Sequence, residues 1–220
     1  MLTMKRDQAI LLAALLALGA WTAAALTPPL AQADLVATRW LQRYASPALD
    51  VTFSIFTIAG NAEVTAVLVG LIGVTLIRTG RAQLAIALWA VFLGGSAIEW
   101  IAKHWLPHPG VPQSLQRPGV NFLHYFVRTP YSYLSGHAFR TLLLAAASSW
   151  LWTRSPNGSP RLLPYLLGPA VAVMGVALVY LGDHWASEVI GGYLLAVVGI
   201  ALLWKQPQNR GWKTLRRGDN

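Results

Sequence analysis

Apolar residues run almost unbroken through six stretches of this chain, and polar residues gather between them. The stretches lie near Gln8–Leu26, Ala62–Ile77, Gln83–Ala102, Gly136–Trp152, Leu162–Leu181 and Ser187–Trp204. A helix that crosses a bilayer needs about 20 predominantly apolar residues. The pattern therefore predicts an all-α, polytopic membrane bundle with six transmembrane helices. Pro164 and Pro169 are placed to kink the start of the fifth. Between the first two spans, Ala33–Ala59 is mixed rather than uniformly apolar. Trp40, Leu41 and Tyr44 recur there at helical spacing, which predicts a helix lying in the interface. Lys5-Arg6 before the first stretch and Ala31-Gln32-Ala33 after it imitate a secretory signal and its cleavage site. The apolar run is longer than a signal core and five more follow, so a retained helix is expected.

Composition sharpens this picture. Of 220 residues, 55% are hydrophobic and 11% charged, against about 25% charged in soluble domains. Mean hydropathy is +0.48. Cysteine is absent, which removes disulfides and thiolate metal sites. The length suits one membrane-embedded domain over residues 1–220, with 205–220 as a basic tail. The net charge of +9 is spread through short loops, a topological signal rather than the gathered basic surface that nucleic acid requires. Lys5, Arg6, Arg78, Arg81, Arg154, Arg161 and the basic tail fall on one side if the spans alternate. The positive-inside rule makes that side cytoplasmic, with both termini inside a plasma (inner) membrane.

All five histidines, His104, His108, His124, His137 and His184, then fall on the other side, with Glu99, Asp183 and Glu188. Topology thus places the candidate site at the extracytoplasmic face. Ser135-Gly136-His137 opens the fourth span. A helix N-terminus attracts anions, and a serine hydroxyl beside a glycine completes a phosphate cradle. A serine there also serves as an ordinary cap, so the tripeptide alone does not decide. His184 and Glu188 share one helix face. A carboxylate holding one imidazole nitrogen fixes the tautomer and leaves the other nitrogen to attack or to accept a proton. Asp183 is a rival partner, but neighbours on a helix point apart. Zinc is disfavoured because no histidine pair has the His-Glu-x-x-His arrangement.

A phosphoryl group also needs cations around its oxygens. Arg140 follows His137 on the same face, and Lys103 follows Glu99 by one turn, where a simple helix ion pair is the alternative. Arg117 and Arg128 lie in the long Leu106–Leu134 loop, from which they could close over a ligand.

In order and position these residues resemble the type-2 phosphatidic acid phosphatase superfamily, the membrane lipid phosphate phosphatases. That family's pattern is Lys, six residues, Arg-Pro; then Pro-Ser-Gly-His; then Ser-Arg, five residues, His, three residues, Asp. Here the second motif stands as Leu134-Ser135-Gly136-His137, and the third as Ala177-Leu178, five residues, His184, three residues, Glu188. The resemblance implies that His184 is the nucleophile of a phosphohistidine pathway and that Glu188 orients it. It implies that His137 protonates the leaving oxygen and that Ser135 with the Gly136 backbone holds phosphate. It implies neither metal nor cofactor. Three departures stand out. Leu134 replaces proline, Leu178 stands where the family has arginine, and His108-Pro109 follows Lys103 after four residues in place of Arg-Pro. Losing a charge-assisted phosphate contact costs several kcal/mol in the transition state. Arg140 is the expected replacement, with Lys103, His108 and Arg128 as further phosphate-binding candidates.

The function so implied is hydrolysis of a phosphomonoester or diphosphate headgroup on a lipid, for example phosphatidic acid, phosphatidylglycerophosphate or polyprenyl diphosphate. The alternative is a degenerate relative that binds or moves phospholipid without cleaving it. A transporter is disfavoured, because its polar groups would sit at mid-membrane rather than at one face.

Overall fold

In a computed structural model, residues 6–119, 129–153 and 162–204 are described. They form eight α-helices and no strand. Helix α1 is Arg6–Ala25, α2 Pro28–Gln42, α3 Pro47–Thr57, α4 Ala62–Arg78, α5 Ala82–Trp105, α6 Gly136–Thr153, α7 Leu162–Leu181 and α8 Ala186–Trp204. The basic tail 205–220 lies outside the described residues.

Local sequence sets the breaks. Pro28-Pro29 opens α2 and Pro47 opens α3, both at positions where the missing N–H is harmless. Ser46 caps α3 by accepting from the Leu49 backbone N–H at 3.3 Å. A short 3-10 turn, Ile58–Gly60, then hands the chain to α4.

The expectation of six transmembrane helices is corrected. Among the described residues four helices are long and apolar enough to cross a bilayer, namely α1, α5, α7 and α8. A fifth span exists only if α3 with its 3-10 turn counts together with α4 as one broken element, bent by 49°. On its own α4 has 17 residues. α6 drops out although it forms as a helix, because His137 and Arg140 lie in its first turns and serines interrupt its second half. The single interfacial helix expected after the first span is two helices, α2 and α3.

α2 is inverted relative to a soluble amphipathic helix. It buries Asp34 and Thr38 and exposes Val36, Trp40 and the nearby Tyr44. Apolar residues facing lipid and a carboxylate facing protein are what a bilayer solvent selects.

α6 packs most extensively on α8, and α1 on α8. Two glycines make the first contact close. A side chain on Gly192 would overlap the Ser135 carbonyl, and one on Gly191 would overlap the Tyr133 phenol. The main core gathers Leu88, Phe92, Phe139, Leu143 and Leu195. A second cluster holds Ala138, Met174, Leu178 and Val189. Because successive helices reverse direction, the start of α4, α6 and α8 and the end of α5 and α7 meet at one end of the bundle. That end carries the polar residues.

Candidate active site

His184 is set by the turn between α7 and α8. The turn bends at Gly182, whose φ of +73° suits glycine. A side chain there would also strike the Leu115 carbonyl. The backbone N–H groups of Asp183 and His184 both return to the Leu178 carbonyl, at 3.0 and 3.3 Å. The imidazole therefore projects from a braced corner, and it is 7% exposed.

Glu188 sits one helical turn on, fully buried. Its Oε2 accepts from His184 Nδ1 at 2.6 Å and from Ser132 Oγ at 2.8 Å. His108 Nδ1 stands 3.1 Å from the other oxygen, Oε1, without hydrogen-bond alignment. With Nδ1–H committed to the carboxylate, the reactive lone pair of His184 is on Nε2.

The start of α6 faces this pair. The Ser135 backbone N–H donates to the Glu188 carbonyl at 3.0 Å, which locks the two helices together. Ser135 Oγ caps α6 by accepting from the Ala138 N–H at 3.3 Å. Gly136 lies directly on Glu99, and a Cβ there would overlap both carboxylate oxygens. His137 Nε2 meets Asn61 Oδ1 at 2.8 Å. The rings of His137 and His184 are 6.0 Å apart, centre to centre.

Glu99 is the hub for the cations. Its Oε1 accepts from Lys103 Nζ at 2.9 Å and its Oε2 from Arg140 Nη1 at 2.7 Å. Arg140 also donates through Nε to the Gly60 carbonyl at 3.0 Å. One carboxylate thus serves two cations, so this trio carries one positive charge in excess.

The structure therefore brings His184, His137, Glu188, Ser135, Gly136, Arg140, Lys103 and His108 to one end of the bundle. His108 is placed on Glu188 rather than among the Glu99 cations. Arg117 is placed elsewhere: it forms a two-armed pair with Asp50 at 3.1 and 2.9 Å, which Tyr180 joins at 2.7 Å. Arg128, like His124, lies outside the described residues. Leu178 is fully buried against Met174 and Ala138, so that position belongs to the core. Sequence reasoning did not single out Ser132, Asn61, Asp34 or Ser187, and treated Glu99 only as a partner for Lys103. A lone carboxylate in an apolar helix was the available signal for Asp34 and Glu99. Ser132 and Asn61 carried none.

Residues 82–212 match the model of the PAP2 superfamily. The chain belongs to that family. It is accordingly a PAP2 membrane phosphatase, acting on a lipid phosphate or diphosphate headgroup. A relative in Escherichia coli, described as "Putative undecaprenyl-diphosphatase YbjG", is 30% identical over 155 residues, covering 69% of this chain and 70% of the relative. The solved structure of a PAP2-type phosphatidylglycerolphosphate phosphatase from Bacillus subtilis superposes with a TM-score of 0.75. That alignment covers 91% of this chain and 98% of the other, and at 17% identity it shows a shared fold.

Proposed function

We propose that this PAP2 phosphatase hydrolyses its lipid headgroup through a phosphohistidine on His184, at the extracytoplasmic face. The observation that carries the proposal is the 2.6 Å bond from His184 Nδ1 to a fully buried Glu188. It presents Nε2 to a phosphorus atom and supplies a negative charge for the imidazolium character that develops on attack.

The steps follow from the arrangement. The Nε2 lone pair forms a bond to phosphorus while the bond from phosphorus to the lipid-side oxygen breaks. His137 gives that oxygen its proton. Ser135, the N–H groups at the start of α6, and the Lys103 and Arg140 cations around Glu99 hold the non-bridging oxygens. A water then attacks the phosphohistidine, with His137 taking its proton, and orthophosphate leaves. His184 regains its lone pair. Binding alone would not need an imidazole with a dedicated carboxylate, so hydrolysis is favoured over passive lipid binding.

Arg6, Arg78 and Arg81 at the opposite end support placing both termini in the cytoplasm and the site outside. Among lipids, a polyprenyl diphosphate suits the likeness to the E. coli relative, while phosphatidylglycerophosphate and phosphatidic acid present the same terminal phosphate. Phosphate release by purified protein from vesicles of each lipid ranks them. Brief reaction with substrate labelled in its terminal phosphate should leave acid-labile label on wild type and none on His184→Ala. Undiminished hydrolysis by His184→Ala overturns the mechanism.

A further inference from the structure

Glu188 has a second imidazole on it, and the mechanism above uses only the first. His108 is 5% exposed, carried on the segment after α5. Three contacts hold it there. The Ser132 backbone N–H donates to the His108 carbonyl at 3.0 Å, Trp185 Nε1 donates to the Pro109 carbonyl at 3.0 Å, and the His108 ring lies 5.7 Å from that of Tyr133. Its Nδ1 stands 3.1 Å from Glu188 Oε1. Its Nε2 stands 3.4 Å from Ser187 Oγ. Ser187 in turn meets Asp34 twice: its hydroxyl donates to Oδ2 at 2.6 Å and its backbone N–H to Oδ1 at 2.8 Å. Asp34, Ser187, His108, Glu188 and His184 therefore form one buried polar path from α2 to the nucleophile.

The directions of these bonds constrain the protons. An ionised Glu188 carries no hydrogen of its own, and His108 Nδ1 meets its Oε1 at 3.1 Å as a close polar contact without hydrogen-bond alignment. Ser187 has one hydrogen. Given to Asp34, it leaves His108 Nε2 to donate to the Ser187 oxygen. Given to His108, it obliges Asp34 to hold the proton. Burial pushes the Asp34 carboxyl up from its ordinary value against the pull of its Ser187 bonds, so the second state is within reach. Either way an imidazole edge stands 3.1 Å from the outer oxygen of Glu188.

We propose that His108 is a positioning residue for phosphoryl transfer: held by Ser187 and Asp34, it sets how much negative charge Glu188 presents to His184. This rests on the assignment of His184 as nucleophile. The other groups around His184 are His137, Glu99 with its Lys103 and Arg140, and Ser132 on the same Glu188 oxygen as His184. Around His108 they are Glu188, Asp34 and Tyr133. Glu188 is the group that both imidazoles face, so a shift in the basicity of His184 on replacing His108 is attributable to that imidazole acting through Glu188.

The test is a pH profile of kcat and kcat/KM on phosphatidic acid vesicles for wild type, His108→Leu, His108→Asn, Ser187→Ala and His184→Ala. Removing the imidazole from beside Oε1 leaves the Glu188 charge less compensated, binds the His184 proton more tightly, and moves the acid limb of kcat/KM to higher pH by roughly one unit. His108→Leu should leave KM near wild type and kcat above the acid limb undiminished, since Glu188 keeps its charge toward the His184 ring. Asparagine places an amide close to where Nδ1 stands, so His108→Asn should restore part of the limb. Ser187→Ala should move the limb in the same sense as His108→Leu, by less. A thermal melt identifies any variant that does not fold, in which case His108→Asn and Ser187→Ala carry the test. An unmoved acid limb in the folded variants overturns the proposal, even if activity falls, because a structural role alone would do that. Full activity in His184→Ala instead overturns the phosphohistidine assignment, a separate result.

Discussion

Replacing Glu188 by glutamine removes a charge and almost nothing else. The amide is close in size to the carboxylate. Its oxygen can accept from His184 Nδ1 and Ser132 Oγ where Oε2 now does, at 2.6 and 2.8 Å. Its NH2 would face His108 Nδ1, which can turn acceptor by moving its proton to Nε2. The His184 tautomer thus survives, and the variant isolates the electrostatic term. As Nε2 bonds to phosphorus, the ring gains positive charge, with its centre about 4 Å from that of the carboxylate; at an effective dielectric near 20 that pair is worth on the order of 4 kcal/mol. Glu188 is fully buried, so little of this is lost to solvent. At about 1.4 kcal/mol per decade, kcat should fall roughly a hundred- to a thousandfold. KM should change little, because the proposed mechanism assigns the phosphate contacts to Ser135, Lys103 and Arg140 rather than to Glu188. The measurement is phosphate release at saturating lipid in vesicles, beside a thermal melt. A folded Glu188→Gln with kcat within about threefold of wild type, less than 1 kcal/mol, refutes the reasoning.

Other substitutions test other parts of the site. Arg140→Ala leaves Glu99 with one cation and the Gly60 carbonyl without its guanidinium donor; breaking such a buried pair should cost about 3–5 kcal/mol of stability. An unshifted unfolding midpoint would show that the pair carries no load, and Arg140→Lys should fall between the two. Gly182→Ala forces a side chain onto a φ of +73° and into the Leu115 carbonyl; a loss of about 1–3 kcal/mol is expected, with kcat falling as the His184 corner moves. Wild-type stability and rate in that variant would contradict the bracing role of the turn. Leu178→Arg, which restores the family residue, should destabilise rather than activate, because the side chain is fully buried against Met174 and Ala138. A gain in kcat with an unchanged melt would show that the pocket reaches that position.

The path through Asp34 also explains the inverted α2. A helix that faces lipid with Val36 and Trp40 is free to turn a carboxylate inward. The cost of burying Asp34 is offset by two bonds from Ser187. α2 is thereby tied to the first turn of α8, next to Glu188.

The chain itself determined where helices form and which ends carry chemistry. Long apolar runs end at residues water must solvate, and alternation of direction then sends His137, His184, Glu99 and Glu188 to the same end. The spacing of His184 and Glu188 suggested a pairing on one helix face, but His184 stands in the turn before α8, and the corner braced at Gly182 and the Leu178 carbonyl delivers it to Glu188. How many helices cross was not legible, because a run of apolar residues does not report that α6 begins with site residues or that α3 and α4 meet at a bend. Tertiary structure alone decided the partners drawn from distant segments: Ser132 and His108 on Glu188, Asn61 on His137, Asp34 on Ser187. It also decided that Arg140 and Lys103 share Glu99 and that Arg117 closes on Asp50. The reason is physical: periodicity encodes which face a residue occupies on its own helix, while a hydrogen bond between helices depends on how closely their backbones approach, and glycines such as Gly136, Gly191 and Gly192 set that only once packed.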